Sequence, residues 1–522
     1  MSPRTRLAVA AVAVLASSAA VISAHAGSGP AGARAVADSV TQSKVDPDAV
    51  LPAATTPTPA WAGYARKPNI LMITSDDLAV GDLAYMPHVR RLLQNQGVTF
   101  TNAVAPTPIC VPARASLLSG QYAHNHGART ISGPHGGYRA FNERRTLPVA
   151  LRRAGYDTLF SGKFLNGYGQ HGSLHDVPRG WTDWRGTVDP STYLFYSPTI
   201  NHNGRLTTYH RYTTSVMSEQ ANDMLRRNRR KHHRWFMWVN YVAPHFGGPW
   251  ESGDPTRIYR NTPAGNVKTT VPAPRDRGRY AGKRLPRLPY YFTVPTGAPR
   301  HSAARLHHWT KKERKALRIA YDQRLEAARG VDRAVASQIR VLRRTHQLKN
   351  TIVIFGGDNG YTTGGHNING KLWQYDEVLR IPLVMRGPGI PQGTKVATAV
   401  TNPDIATTIL AAAGATPLRP QDGVNILPWL RAPTQDRVVP IEGWQVYNGN
   451  RKLYAGVRTA RWTYVRYRRG GEELYDRRSD PYELHSLAEK PAYRSQLKQL
   501  RALTRTYHDC RGASCPKAFY RA

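Results

Sequence analysis

Five short apolar runs set the frame of this chain: Asn69-Ile-Leu-Met-Ile-Thr, Tyr156–Ser161, Trp235–Tyr241, Thr351–Phe355 and Ile381–Met385. Continuous runs of this length, without polar alternation, predict strands buried on both faces of a parallel sheet. Helical stretches lie between them. The clearest begins at Thr310, where Thr-Lys-Lys-Glu313 forms a capping box, and runs amphipathically through Leu317, Tyr321, Ala328, Val331, Val335 and Leu342. Strands alternating with helices predict an α/β domain, a large mixed, mostly parallel sheet sandwiched by helices. From about residue 438 the pattern shortens. The stretches starting at Leu453, Trp462 and Glu473 predict strands of a smaller C-terminal antiparallel-sheet subdomain, closed by a helix at about 491–508. Residues 246–309 are basic, rich in Pro and Gly, and without period. They predict a long excursion over the sheet edge, either shaping a cleft there or an insertion without a role.

The residues just beyond each strand carry the first chemical signal. The runs lead into Asp76-Asp77, Gly162-Lys163, Pro244-His245 and Asp358-Asn359. In open α/β sheets ligands bind beyond the carboxyl ends of the strands, so four strands deliver carboxylates, a lysine and a histidine to one edge.

Composition narrows the setting. Lys plus Arg total 73 against 34 acidic residues, a net charge of +39 over 522 residues. Such an excess attracts polyanions, but the basic residues are scattered and no nucleic-acid-binding signature is present, so nucleic acid is not an expected partner. An arginine-rich solvated surface accounts for the same numbers. Residues 1–26 have the layout of an export signal: Arg4 and Arg6, an apolar stretch to about Ala20, and a small-residue cleavage site ending at Ala26. Residues 27–66 read as an Ala/Thr/Pro-rich linker, 67–437 as the catalytic domain and 438–522 as the C-terminal subdomain. No later stretch predicts a membrane span. The expected location is therefore secreted or extracytoplasmic. Of three cysteines, Cys510 and Cys515 lie close enough for a small disulfide, which leaves Cys110 without a partner.

Cys110-Val-Pro-Ala-Arg114 precedes the helix-like Ala115-Ser-Leu-Leu-Ser, and Pro112 suits a first helical turn, so Cys110 is expected at a helix N-terminus that favours an anion. Here the chain resembles the sulfatase family, within the alkaline-phosphatase-like superfamily, whose signature is Cys-x-Pro-Ser-Arg; Ala113 stands in place of the serine. The resemblance runs from about Asn69 to Leu487 and includes Asp76-Asp77, Gly162-Lys163, His245, Gly357-Asp358-Asn359-Gly360, Lys371 and Leu474-Tyr-Asp. It implies that a formylglycine-generating enzyme oxidises Cys110 to an aldehyde, Cα-formylglycine. The hydrate of that aldehyde has two hydroxyls, one to attack sulfur and one to expel sulfate afterwards. Asp76, Asp77, Asp358 and Asn359 offer oxygen only, which suits Ca²⁺ or Mg²⁺ over zinc; by resemblance they bind one Ca²⁺ together with the residue 110 oxygen. Arg114 is implied to orient the hydrate, Lys163 and Lys371 to grip the sulfate, and His245 to protonate the leaving alcohol or hydrogen-bond the ester.

One departure stands out. Many sulfatases carry a histidine, the base of the elimination step, two residues after the lysine of Gly-Lys; here Leu165 occupies that place. Gly162-Lys163-Phe-Leu165-Asn is similar to the N-acetylglucosamine-6-sulfatase branch, as is His124-Asn-His126. His126 or His124 is the expected replacement for the missing base, against a solvent-exposed pair with no role. The expected function is hydrolysis of sulfate monoesters, foremost the 6-O-sulfate of glucosamine units in a sulfated glycan. A broad arylsulfatase, a phosphonate or phosphodiester hydrolase of the same fold, and an inactive polyanion-binding protein are the alternatives.

Overall fold

The computed structural model describes residues 67–229, 233–255, 258, 267–431, 437–447 and 449–516. The export signal and linker expected at 1–66 lie outside them. Among the described residues ten strands form one sheet. Its centre is parallel, in the order Thr351–Gly357, Asn69–Ser75, Arg234–Tyr241, Tyr156–Lys163 and Asp183–Thr187. The registers are nearly level at the carboxyl ends: Ser75 lies opposite both Gly357 and Tyr241, and Gly162 opposite Asn240. The segments leaving these strands therefore emerge side by side.

The central strand shows why its sequence is uniformly apolar. Ile70 and Met72 pack into the core on one face, Leu71 and Ile73 into the core on the other, and all four are essentially inaccessible. Side chains alternate across a strand, so a strand covered on both sides has no polar face. One cover includes helices Cys110–Ser119, Leu147–Arg153 and Asn402–Ala413; the other includes Thr213–Asn228 and Lys311–Arg344. Thr310 caps the last-named helix as expected, its Oγ1 accepting from the Glu313 amide while Glu313 accepts from the Thr310 amide at 2.9 Å.

The run at 381–385 departs from expectation. The strand is Leu383–Arg386 and pairs antiparallel with Thr351–Gly357. An apolar run reports burial on both faces but not direction. The segment before it holds one four-residue helix, Asp376–Leu379, in place of the long helix that usually carries the crossover to a parallel neighbour.

At the C-terminus, strands Val439–Trp444, Lys452–Arg458, Trp462–Tyr467 and Glu472–Asp476 form an antiparallel sheet in sequence order. Helix Arg494–His508 packs Leu497, Leu500 and Tyr507 against Val457, Tyr464 and Leu474 on one face. The other face, with Ile441, Val465 and Tyr475, covers Ile368, Leu372 and Trp373. Cys510 and Cys515 are joined by a disulfide. No helix among the described residues is long and apolar enough to cross a membrane.

Candidate active site

Four neighbouring strands end at the same level, and their next residues meet. The Asn69–Ser75 strand runs into Asp76 and Asp77, both fully buried. Asp77 takes a left-handed backbone (φ 61°), a conformation Asp tolerates better than most residues, and this turns the chain sharply inside the site. From the Thr351–Gly357 strand come Asp358 and Asn359, also fully buried. Asp358 Oδ1 accepts from the Asp77 amide at 3.2 Å and the Asn359 amide at 2.9 Å. The Tyr156–Lys163 strand supplies Lys163, which is ion-paired to Asp76. His245, after the Arg234–Tyr241 strand, places Nε2 3.7 Å from Asp77 Oδ2.

The fifth component comes from a helix. Cys110 is the first residue of helix Cys110–Ser119, is 2% exposed, and lies 3.6 Å from Asp76 Oδ1. Arg114 comes one turn later, on the same face. Its Nε donates to Asp358 at 2.8 Å and its Nη1 to the Lys163 and Phe164 carbonyls at 2.9 and 3.1 Å. Its Nη2 makes a 3.5 Å ion pair with Asp76 and no hydrogen bond among the described residues. Lys371 arrives from the loop resting on the C-terminal sheet; it is ion-paired to Asp77, and its Nζ stands 2.7 Å from Cys110 Sγ. The structure thus gathers Asp76, Asp77, Cys110, Arg114, Lys163, His245, Asp358, Asn359 and Lys371 in one place.

Electrostatics are set by burial. Desolvation pushes the Cys110 thiol up to about 11, helped by Asp76 and outweighing Lys163 and Lys371. Burial also raises Asp76, but Lys163, His245 and Arg114 more than offset it and hold that carboxyl well below its usual range. Asp358 is pushed up to about 6 by burial despite Arg114. His245 is pushed down to about 3 by burial, against the pull of Asp76 and Asp77. Its Nδ1 donates to the Phe246 carbonyl at 2.7 Å, so Nε2 faces the carboxylates.

The donor set fits a hard cation. Oxygens of Asp76, Asp77 and Asp358 lie within 4.8 Å of one another. Asp77 Oδ2 and Asn359 Oδ1 are buried and have no hydrogen-bond partner among the described residues. Orphaned buried acceptors are costly unless something electropositive sits between them, and an all-oxygen set suits Ca²⁺.

The expectation for His126 and His124 finds no geometric support. His126 is buried with Nε2 against Ser116 Oγ and the Pro112 carbonyl, both at 3.2 Å, and burial pushes its ring down to about 3. His124 is tied to Glu442 and the Cys510 carbonyl. Neither lines the cavity on which Cys110 opens, and Leu165 is packed in the core.

That cavity, of about 250 Å³, is walled by Cys110, His245, Lys371, Tyr193, Phe246 and Lys268 among others. Lys268 and Phe246 belong to the 246–309 excursion, which therefore shapes the cleft. Tyr447 stands at the lining, 74% exposed. Three contributors escape sequence reading. Tyr193 places its ring 4.9 Å from Lys163 Nζ and 4.9 Å from the His245 ring. Asn240 donates to the Lys163 carbonyl at 2.7 Å. Arg324, buried in helix Lys311–Arg344, donates to the Asp77 and Pro244 carbonyls behind the cluster. Its signal is positional: it falls on the apolar stripe between Tyr321 and Ala328, where a charge needs a reason.

The chain is similar to known proteins over most of its length. The family model described as Sulfatase matches residues 68–415, and that described as N-sulphoglucosamine sulphohydrolase, C-terminal, matches 364–508. An arylsulfatase of Volvox carteri is 29% identical over 511 residues, 87% of this chain and 76% of that protein. N-acetylglucosamine-6-sulfatase of Homo sapiens is 30% identical over 396 residues, 71% of this chain and 65% of that protein. A solved structure of a protein in complex with its substrate D-glucosamine-2-N,6-O-disulfate shares the fold, with a TM-score of 0.69 at 20% identity over 84% of this chain and 97% of that one. With a family model matching more than half of its length, the chain belongs to the sulfatase family and is a sulfuric ester hydrolase.

Proposed function

We propose that the protein hydrolyses the 6-O-sulfate of glucosamine or N-acetylglucosamine units in a sulfated glycan, with residue 110 acting as Cα-formylglycine beside one Ca²⁺. One observation carries this: the sole cysteine outside the disulfide sits at the start of a helix, between two lysine ammonium groups and an all-oxygen carboxylate cluster. A hydrated aldehyde at residue 110 supplies one hydroxyl to attack sulfur and a second whose deprotonation releases sulfate. Asp76, Asp77, Asp358 and Asn359 would hold the Ca²⁺, whose charge offsets that of the sulfate oxygens.

The chain's own residues do the rest. Lys163 and Lys371 present fixed positive charge where negative charge grows in the transition state, in a site that excludes most water. Arg114 commits Nε to Asp358 and Nη1 to the Lys163 and Phe164 carbonyls. This leaves Nη2, 3.5 Å from Asp76 and without a hydrogen bond among the described residues, available to orient the hydrate at residue 110 one helical turn away. His245 moves the proton: with Nδ1–H committed to the Phe246 carbonyl, Nε2 is the free acceptor, and it takes the proton of the attacking residue 110 hydroxyl and passes it to the leaving alcohol oxygen. Leu165 provides no base, so the same His245 nitrogen serves the release step as well.

The N-acetylglucosamine-6-sulfatase relatives and the Gly-Lys-Phe-Leu-Asn motif favour a glucosamine 6-sulfate over a broad aryl sulfate. The leader pattern at 1–26 supports export, where sulfated polymers are found. Mass spectrometry of the peptide containing residue 110, on protein purified from its own host, should show the aldehyde. A plain thiol in fully active enzyme would overturn the mechanism. A panel of glucosamine 6-sulfate, an aryl sulfate and a phosphonate ester should show the first cleaved best; preference for either of the others replaces the substrate assignment. An inactive polyanion-binding protein would turn over none of them.

A further inference from the structure

A second cavity, of about 620 Å³, lies beside the catalytic one and shares Ile131 and Asn166 with it as a common wall. It is formed between the glycine-rich loop at 130–139 and the loop at 166–171 that comes after the Lys163 strand. The two loops are fastened together. The Tyr138 amide donates to the Asn166 carbonyl at 2.8 Å, and the Tyr138 ring packs edge-on against Phe164 and Tyr168. Gly136 allows the curl: a Cβ there would stand 2.3 Å from the Ser132 carbonyl oxygen. The result is a concave wall of backbone, built and not incidental.

Its chemistry is polar, with one buried acceptor left unpaired and one exposed cation. Asn166 donates through Nδ2 to the Tyr193 hydroxyl at 2.8 Å, which orients the amide and leaves Oδ1 buried with no partner among the described residues. An acceptor so placed calls for a donor from whatever fills the junction. Arg139 lines the second cavity, is exposed, and has no carboxylate partner among the described residues. Asp189, on the same lining, already accepts from the Gly167 amide at 2.7 Å.

We propose that this second cavity binds the neighbouring sugar of an anionic glycan, with Asn166 Oδ1 taking an N–H or O–H at the junction and Arg139 meeting the neighbour's sulfate or carboxylate. The subsite rests on the glycan reading above and makes it more specific: the enzyme acts on a unit within an acidic chain and discriminates against the free monosaccharide.

The test compares kcat/KM on glucosamine 6-sulfate with that on a tetrasaccharide of alternating uronate and glucosamine 6-sulfate. A charge-assisted contact predicts that wild type favours the tetrasaccharide by about tenfold or more. Arg139→Ala, and Ser132→Trp to fill the cavity, should each bring the ratio of the two values close to parity. A wild type without preference, or a ratio that neither variant moves, overturns the subsite. Should wild type cleave an aryl sulfate but neither sugar, the glycan reading itself falls. Calorimetric binding of the tetrasaccharide to Cys110→Ala protein then decides the cavity's role: binding weakened about tenfold by Arg139→Ala sustains it, and no binding ends it.

Discussion

Lys371 reaches the thiol from a loop whose next residue, Leu372, takes a left-handed backbone (φ 88°). For leucine that conformation costs on the order of 1–3 kcal/mol, and such outliers persist where the surroundings over-determine them. Here the Leu372 amide donates to the Pro108 carbonyl at 2.9 Å, two residues before Cys110, so the lysine and residue 110 are locked to one another. Lys371→Ala should therefore lower kcat by about 10²–10³-fold, the scale of losing one preorganised donor to a developing charge, with little change in melting temperature. His366 shows a different use of charge. Its Nδ1 faces Glu377 at 2.7 Å and its Nε2 the Tyr482 carbonyl at 2.9 Å, with the ring stacked 4.0 Å from Tyr375. Two acceptors call for two protons, and although burial opposes it, Glu377 raises the ring to about 9. The ring charges more readily folded than unfolded, so this stabilisation is full below pH ~6.5 and fades as pH rises through about 9. The stability advantage of wild type over His366→Asn should be on the order of 3 kcal/mol at pH ~6 and should shrink steadily toward pH ~9 in thermal melts.

At the scale of elements, the strands that build the site are plain in sequence because each is buried on both faces and is therefore mostly apolar. The carboxylates, Lys163 and His245 are legible for the same reason: they are the first titratable residues after those runs. What escapes is whatever depends on three-dimensional return. Asn240 lies inside an apolar strand and matters only because Lys163 ends beside it. The histidines at 124 and 126 come soon after the Cys110 helix in sequence, yet Gly120 at φ 72° ends that helix and the chain carries them away from the cavity. Arg324 is hidden by the regularity of its own helix. It braces the Asp77 turn, and orienting groups behind a metal ligand commonly carry about 10–100-fold of metal affinity. Arg324→Met should raise the Ca²⁺ concentration needed for half-maximal activity by about tenfold, read by titrating chelator-treated enzyme. Unchanged Ca²⁺ dependence would reduce Arg324 to packing.

For the whole molecule, a net charge of +39 acts at a distance that no single residue reaches. The field gathers polyanions and is screened by salt over about 10 Å at 0.1 M. Raising salt from about 0.05 to about 0.5 M should depress kcat/KM on a sulfated polymer several-fold more than on a small aryl sulfate; equal losses would assign the arginines to solubility alone. The same architecture also encloses residue 110. Residue 110 is the opening residue of a helix in the sheet's cover, enclosed by Asp76, Lys163 and Lys371. In the folded chain the sulfur, 2% exposed, is reached through the cavity of about 250 Å³ on which it opens, a poor entry for a macromolecular oxidant. On the proposed reading of residue 110 as formylglycine, this enclosure favours conversion before the chain folds.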